Sequence, residues 1–220
     1  SGLRREWEAA CKGETGIACF DHWAKELVET GYLHNHARMW FASIWIFTLR
    51  LPWTLGADFF LRHLLDGDPA SNTLSWRWVG GIQTMGKTYL ARPDNIAKYT
   101  EGRFQPKGLA THAIPLDSPP HPAPGPVPVS DRLPSTGTVG LLLTEEDLSP
   151  GWLLKDVQPA ATALLQATSL RSPLHVSPLV MNFVSGAINA CAERFSETLG
   201  KTEKIETIAD WAARQGIDHI

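Results

Sequence analysis

The sequence has few cysteines, no long apolar segment and no strong excess of charge of either sign. Its three cysteines (Cys11, Cys19 and Cys191) are too few and too scattered for a disulfide framework, and no CxxC pair suggests a zinc site. The longest apolar run, 39–49, is far shorter than the ~20 residues that a membrane span needs. The N-terminus is polar and lacks the apolar core of a signal peptide. We therefore expect a cytoplasmic protein with no membrane association and no metal site.

The chain has 220 residues, of which 43% are hydrophobic and 20% are charged, and this composition supports a buried core. The net charge of −3 excludes a uniformly basic coat for nucleic acid. The charge is uneven, because residues 1–112 carry 13 lysines and arginines against 11 acidic residues, whereas 113–220 carry 7 against 12. A polyanion should therefore prefer the first half of the chain.

Tryptophan is the compositional outlier: there are nine, and seven of them lie in the first 78 residues. One interpretation is a helical core filled with large aromatic side chains. The other is a stacking surface or a path for electrons. Composition leaves both interpretations open.

Hydrophobic periodicity predicts that residues 1–112 are helical. Asp68 followed by Pro69 is typical of an N-cap and the first position of a helix, which predicts a helix start at 69. Pro52 should end the apolar helix that precedes it in the sequence, because the residue before a proline avoids the helical conformation. The predicted helices span 17–30, 34–50, 55–67 and 69–79.

The second half of the chain differs in pattern. Residues 113–135 hold eight of the 16 prolines, which predicts an extended linker without secondary structure. Residues 136–220 favour a partial α/β unit with a parallel sheet. We predict a strand at 137–144, helices at 161–168, 179–199 and 205–216, and a further strand opening at the end of the chain. A parallel sheet needs more strands than these, so we interpret the sequence as a fragment of a longer protein, cut at both ends.

One stretch concentrates polar groups just before the apolar helix. Arg38 enters this helix and needs an acceptor, and Asp66 and Asp68 are the available anions. The arrangement is either a structural ion pair between two helices or the polar wall of a ligand site. The glycine-rich segment 80–86 lacks the spacing of a phosphate-binding loop, so we do not predict a phosphate site there. His34 and His36 should point to different helix faces, so we do not predict that they bind a metal together.

Three motifs occur in order: TGYLHNHARM (30–39), PW (52–53) and LLDGDPASNTLSWRW (64–78). Together they closely resemble the FAD-binding domain of the photolyase/cryptochrome family, and GETG (13–16) matches an upstream family segment. The resemblance covers about 1–112 and implies a mainly α fold, the C-terminal part of the helical FAD-binding domain.

The resemblance implies FAD as cofactor and gives individual residues a role. Arg38 and Asp66 would form a buried ion pair beside the isoalloxazine ring, Asp68 would accept from the polar edge of the flavin, and Asn72 would face flavin N5. Trp76 and Trp53 would be the proximal and middle members of the photoreduction chain. The catalytic set implied is Trp76, Trp53 and Asn72, and the cofactor-binding set is Asn35, Arg38, Asp66, Asp68 and Asn72.

The substrate pocket implied by the resemblance would take a pyrimidine dimer flipped out of damaged DNA, single-stranded or duplex. Its lining would be Tyr32, Asn35, Met39 and Trp78. The family segment that grips the FAD phosphates, and the distal tryptophan, would precede residue 1. Residues 136–220 would be a relocated antenna-type domain or something unrelated, with any second, antenna chromophore unidentified.

The leading hypothesis is a blue-light flavoprotein that repairs pyrimidine dimers in DNA by electron transfer from reduced FAD, a lyase of the deoxyribodipyrimidine photolyase type. The alternatives are a cryptochrome-like photoreceptor without repair activity and a remnant that binds FAD structurally.

Overall fold

The structure is a computed structural model that describes residues 2–132 and 134–220. It divides into two compact units. The first unit takes in the chain up to His121 together with Arg171–Val180, and the second takes in Pro122–Leu170 and Met181–Ile220. No helix in the described part of the chain is long and apolar enough to cross a membrane.

The first unit is helical, as the periodicity predicts. The predicted helices at 17–30 and 69–79 are confirmed to within one residue, whereas the first and last helices of the unit were not predicted. The helices are α1 (Gly2–Lys12), α2 (Ala18–Thr30), α3 (Asn35–Ser43), α4 (Trp53–His63), α5 (Pro69–Val79) and α6 (Pro93–Tyr99).

Local signals set two of these helix ends. Helix α2 ends at Gly31, whose φ of 69° lies in the left-handed region, and its N–H donates to the carbonyl of Leu27. Helix α5 begins after Asp68, whose carboxylate accepts from the N–H of Ser71 at 2.6 Å, with Pro69 in the first turn.

The apolar run after Arg38 forms α3 and then a π-helical turn, Ile44–Thr48. In this turn the N–H of Leu49 donates to the carbonyl of Ile44, five residues back. The predicted helix 34–50 is therefore present, but its last turn is wider than an α-helical one.

The core of the first unit is aromatic. The ring of Phe41 contacts five other aromatic rings, and Trp45 and Trp76 meet edge to face at 6.1 Å between ring centroids. The interpretation of the tryptophans as core residues is confirmed for Trp45 and Trp76, which are 0% and 2% exposed. The rings around Phe41 are Phe20, Trp45, Phe59, Phe60 and Trp76.

The second unit contains the predicted parallel sheet. Its strands lie in the order β1 (Gly140–Thr144), β2 (Ala161–Leu165), β3 (Lys201–Lys204), and Ala161 pairs with Gly140 on one side and Lys201 on the other. The helices are α7 (Pro178–Arg194), which belongs to this unit from Met181 onward, and α8 (Ile208–Gln215), with 3₁₀ turns at Pro150–Lys155 and Thr168–Leu170.

The prediction of a helix at 161–168 is wrong, because residues 161–165 are the central strand. Four of its five residues are buried. A strand buried on both faces lacks the alternation of apolar and polar residues that distinguishes a strand from a buried helix.

Helix α4 ends in a histidine that should make stability depend on pH. Burial, and next the charge of Arg62, lower the pKa of His63 to about 4, although Asp58 acts in the opposite direction. An unfolded histidine titrates near 6.5, so between these values the unfolded chain binds more protons and stability rises with pH. We expect the free energy of unfolding to fall by about 2 kcal/mol from pH 7 to pH 5.

Urea denaturation at the two pH values measures this effect. The variant His63→Leu should lose most of the difference, and His112→Leu, at an exposed position, should keep it. An unchanged pH dependence in His63→Leu would assign the acid sensitivity to other groups.

Candidate functional site

A cavity of about 410 Å³ lies in the first unit, lined by α3, α4, α5 and the turn between α4 and α5. Its volume lies within the range of small-molecule sites, and it combines apolar walls with a few polar groups, as such sites do. The lining residues are Asn35, Arg38, Met39, Ala42, Phe60, Leu64, Asp66, Gly67, Asp68, Ser71, Asn72, Leu74, Ser75, Trp76, Trp78 and Val79.

An ion pair forms part of the cavity wall. The guanidinium of Arg38 donates to a carboxylate oxygen of Asp66 at 3.0 Å and, through Nε, to the carbonyl of Leu33 at 2.8 Å. The prediction that this pair is buried is wrong for Asp66, whose side chain is 59% exposed. Because pairs this open to solvent contribute about 0–1 kcal/mol to stability, the pair has little value as a structural lock. Its place in the wall favours the interpretation as a ligand site.

The start of α5 supplies two further polar groups. The hydrogen bond from the N–H of Ser71 is the main reason that the pKa of Asp68 is lowered, so its carboxylate is held as an anion. The amide of Asn72 donates through Nδ2 to the carbonyl of Ala57 at 2.8 Å. Since a carbonyl can only accept, this bond fixes which end of the Asn72 amide is the nitrogen.

Trp76 forms a buried part of the wall. Its Nε1 is buried without a hydrogen-bond partner among the described residues, as are those of Trp7 and Trp211, which lie outside the cavity. The ring packs against Gly56 of α4, where an added Cβ would lie 2.3 Å from a ring carbon of Trp76. Only glycine leaves room for the indole at this position.

Two of the residues predicted for the site do not line the cavity. Tyr32 is 53% exposed, and the guanidinium carbon of Arg38 lies 5.6 Å from its ring centroid. Trp53 is half-buried at the start of α4, where Arg77 lies 6.0 Å from its ring centroid. The tryptophan in ring contact with Trp76 is Trp45. The other predicted residues lie together in the cavity wall: Asn35, Arg38, Met39, Asp66, Asp68, Asn72, Trp76 and Trp78.

Sequence reasoning missed several lining residues, among them Phe60, Ser71 and Ser75. The helical spacing of Ser71 and Ser75 from the expected residues of α5 is the signal that could have found them. Across the described ranges, no group of three or more His, Cys, Asp or Glu side chains could hold a metal ion.

The residues present fit FAD. The isoalloxazine ring has an apolar end and a polar edge, and the cavity offers both kinds of wall. A cation, two carboxylates and an amide match a ring that carries hydrogen-bond donors and acceptors.

The comparisons with known proteins concern the same half of the chain. A family model described as the FAD binding domain of DNA photolyase matches residues 3–108. Curated relatives named deoxyribodipyrimidine photo-lyase occur in Streptomyces griseus, 35% identical over 119 residues, and in Vibrio cholerae, 33% identical over 114 residues. Each match covers 49% of this chain, and 26% and 24% of the relative.

A third relative of that name, from Thermus thermophilus, is 42% identical over 80 residues, which are 36% of this chain and 18% of the relative. The chain thus spans about a quarter or less of the length of these relatives. No solved structure gives a significant match. The matched family is one of FAD-binding domains, so FAD is the cofactor that it indicates. Residues 3–108 are therefore similar to the FAD-binding domain of DNA photolyase.

Proposed function

We propose that this chain holds FAD in the cavity between α3 and α5 and serves light-driven repair of pyrimidine dimers in DNA, a lyase reaction. The observation that carries the proposal is the convergence of Arg38, Asp66, Asp68, Asn72 and Trp76 in one wall. These residues come from two separate segments of the sequence, 30–39 and 64–78, and folding brings them to one ligand-sized space.

The polar groups would bind and orient the flavin. Arg38 offers a cation that is already held by Asp66 and by the carbonyl of Leu33, so little ordering is needed when the ligand arrives. Asn72 presents an amide held by Ala57, which can hydrogen-bond flavin N5 without supplying a ready proton. When bound and reduced, FAD supplies under blue light the electron that splits the cyclobutane ring and is then returned.

The substrate would enter the same cavity. Asn35 and Met39 lie one turn apart on α3, and the Asn35 amide nitrogen is 4.0 Å from the sulfur of Met39. Trp78 also lines the cavity and is 38% exposed, and its ring stacks on Tyr89 with 5.5 Å between the ring centroids. Aromatic and amide side chains suit a base that is flipped out of the DNA stack. Tyr32, which lies outside the cavity, would contact the flipped base from the outer side.

The partner would be damaged DNA, with modest affinity that falls as salt rises. Phosphate contacts dominate such affinity, and the first half of the chain has a small excess of positive charge. A reducing, cytoplasmic setting suits the three free cysteines.

A blue-light photoreceptor without repair activity is the second candidate. The observation that favours it is the second compact unit, joined through a proline-rich segment, which offers a route for signalling. Both candidates use FAD, so flavin binding does not separate them, whereas repair does.

The experiment measures dimers before and after illumination of the reduced full-length protein with single-stranded and duplex substrates. We expect dimers to disappear, faster from single strands, where flipping costs least. Asn35→Ala should weaken repair, and Asn189→Ala, the same change at an exposed position of α7, should not. If a protein shown to hold reduced FAD leaves both substrates intact, the repair proposal fails and the photoreceptor candidate stands.

A further inference from the structure

A segment far along the chain is part of the first unit. Residues Arg171–Val180, here called the strap, pack with the helices up to His121. They lie well beyond the region 3–108 that the family model matches. The strap therefore adds to the helical domain contacts that the matched region does not supply.

The strap satisfies buried polar groups on α4. Arg62 is 8% exposed, and its guanidinium bonds Asp58 at 2.8 Å and the strap carbonyl of His175 at 3.3 Å. The other carboxylate oxygen of Asp58 accepts from the hydroxyl of Ser172 at 2.6 Å. The N–H of Ser177 donates to the carbonyl of Arg62 at 3.0 Å, in the last turn of the helix. Buried charges need such partners, so the strap belongs to the folded core of this unit.

The first residue of the strap reaches the turn that carries the candidate flavin carboxylates. The guanidinium of Arg171 donates to the carbonyl of Gly67 at 2.8 Å, across 104 residues of sequence. Gly67 is buried and lies between Asp66 and Asp68, and all three line the cavity. The turn is thus held at its middle by a cation from the strap.

We propose that Arg171 is a positioning residue for the candidate flavin site: through the carbonyl of Gly67 it fixes the turn that presents Asp66 and Asp68. The inference rests on the proposed flavin binding for its functional consequence. Groups that bind a ligand must be held within about 0.5 Å of their binding geometry by neighbouring residues. In metal sites, mutation of these supporting residues lowers the affinity about 10–100-fold. Arg171 has the same supporting role for Asp66 and Asp68, because it holds the carbonyl of the residue between them.

The first test needs no flavin. Amide hydrogen exchange of the wild-type chain and of Arg171→Ala reports on the turn through the N–H groups of Ser71 and Gly67, which bond Asp68 and Leu64. We expect both amides to exchange faster in Arg171→Ala, and Arg171→Lys, which keeps a positive charge, to lie between the two. The matched control Arg5→Ala removes an exposed arginine of α1 and should change neither amide. Unchanged exchange in Arg171→Ala overturns the proposal.

The second test measures FAD affinity by quenching of flavin fluorescence in the full-length protein. We expect a Kd about tenfold higher in Arg171→Ala and an unchanged Kd in Arg5→Ala. Equal affinities in Arg171→Ala and the wild type, where the wild type binds FAD, overturn the positioning role. A wild-type protein that binds no FAD refutes the proposed function instead, and the exchange experiment still decides whether Arg171 holds the turn.

Discussion

Replacing Trp76 by phenylalanine is expected to abolish light-driven reduction of FAD in the full-length protein and to leave FAD binding intact. Trp76 lines the cavity and is 2% exposed, so an indole lies within the wall that would contact the flavin. Phenylalanine keeps an aromatic ring there but gives up an electron far less readily than indole. The measurement is flavin absorbance during blue illumination with an external reductant present.

A matched control separates the loss of an electron donor from the loss of packing. Trp211 is also fully buried and also has an Nε1 without a partner among the described residues, but it belongs to the second unit. Trp211→Phe should photoreduce like the wild type. Photoreduction of Trp76→Phe at the wild-type rate would make Trp76 a packing residue alone.

The next member of the photoreduction chain can be tested in the same assay. The family resemblance implies Trp53, whereas the ring contact of Trp76 is with Trp45. Trp53→Phe should slow photoreduction if the resemblance holds at this position. If Trp45→Phe slows photoreduction and Trp53→Phe does not, electrons reach Trp76 through Trp45 instead.

Replacing Arg38 by methionine is expected to raise the Kd for FAD by at least about tenfold. The change removes the guanidinium from the cavity wall and leaves the Asp66 carboxylate without its cation. One hydrogen bond to a charged group contributes about 1.5–3 kcal/mol, which is roughly a 10- to 150-fold change in affinity. Titration of FAD followed by fluorescence quenching gives the Kd.

Helix α1 offers the control for this variant. Arg4 pairs with Glu8 at 3.1 Å in an exposed position outside the cavity, so Arg4→Met removes a comparable ion pair without touching the site. Its Kd should equal that of the wild type. If Arg38→Met binds FAD normally but melts at a lower temperature, the ion pair is structural, which is the alternative that the sequence left open.

Neighbouring residues alone determined much of the helical half of this protein. The cap formed by Asp68 and Pro69 set the start of α5, and Gly31 set the end of α2, since each acts on backbone groups within a few residues. Two of the three motifs also pointed to eight of the 16 residues in the cavity wall. The roles of single residues and the domain boundaries stay predictions.

Tertiary structure decided what depends on partners distant in sequence. The segment 161–165 is a strand because β1 and β3 flank it, and Gly56 must be a glycine because the ring of Trp76 lies against it. Arg171 reaches Gly67 across 104 residues, a contact that no local pattern encodes. Helix caps and periodicity are short-range effects of backbone hydrogen bonding and can be recognised in a few residues. Only the fold brings together the atoms that bury a strand on two faces, pack an indole against a glycine or join Arg171 to the carbonyl of Gly67. These features therefore exist only once the chain has folded.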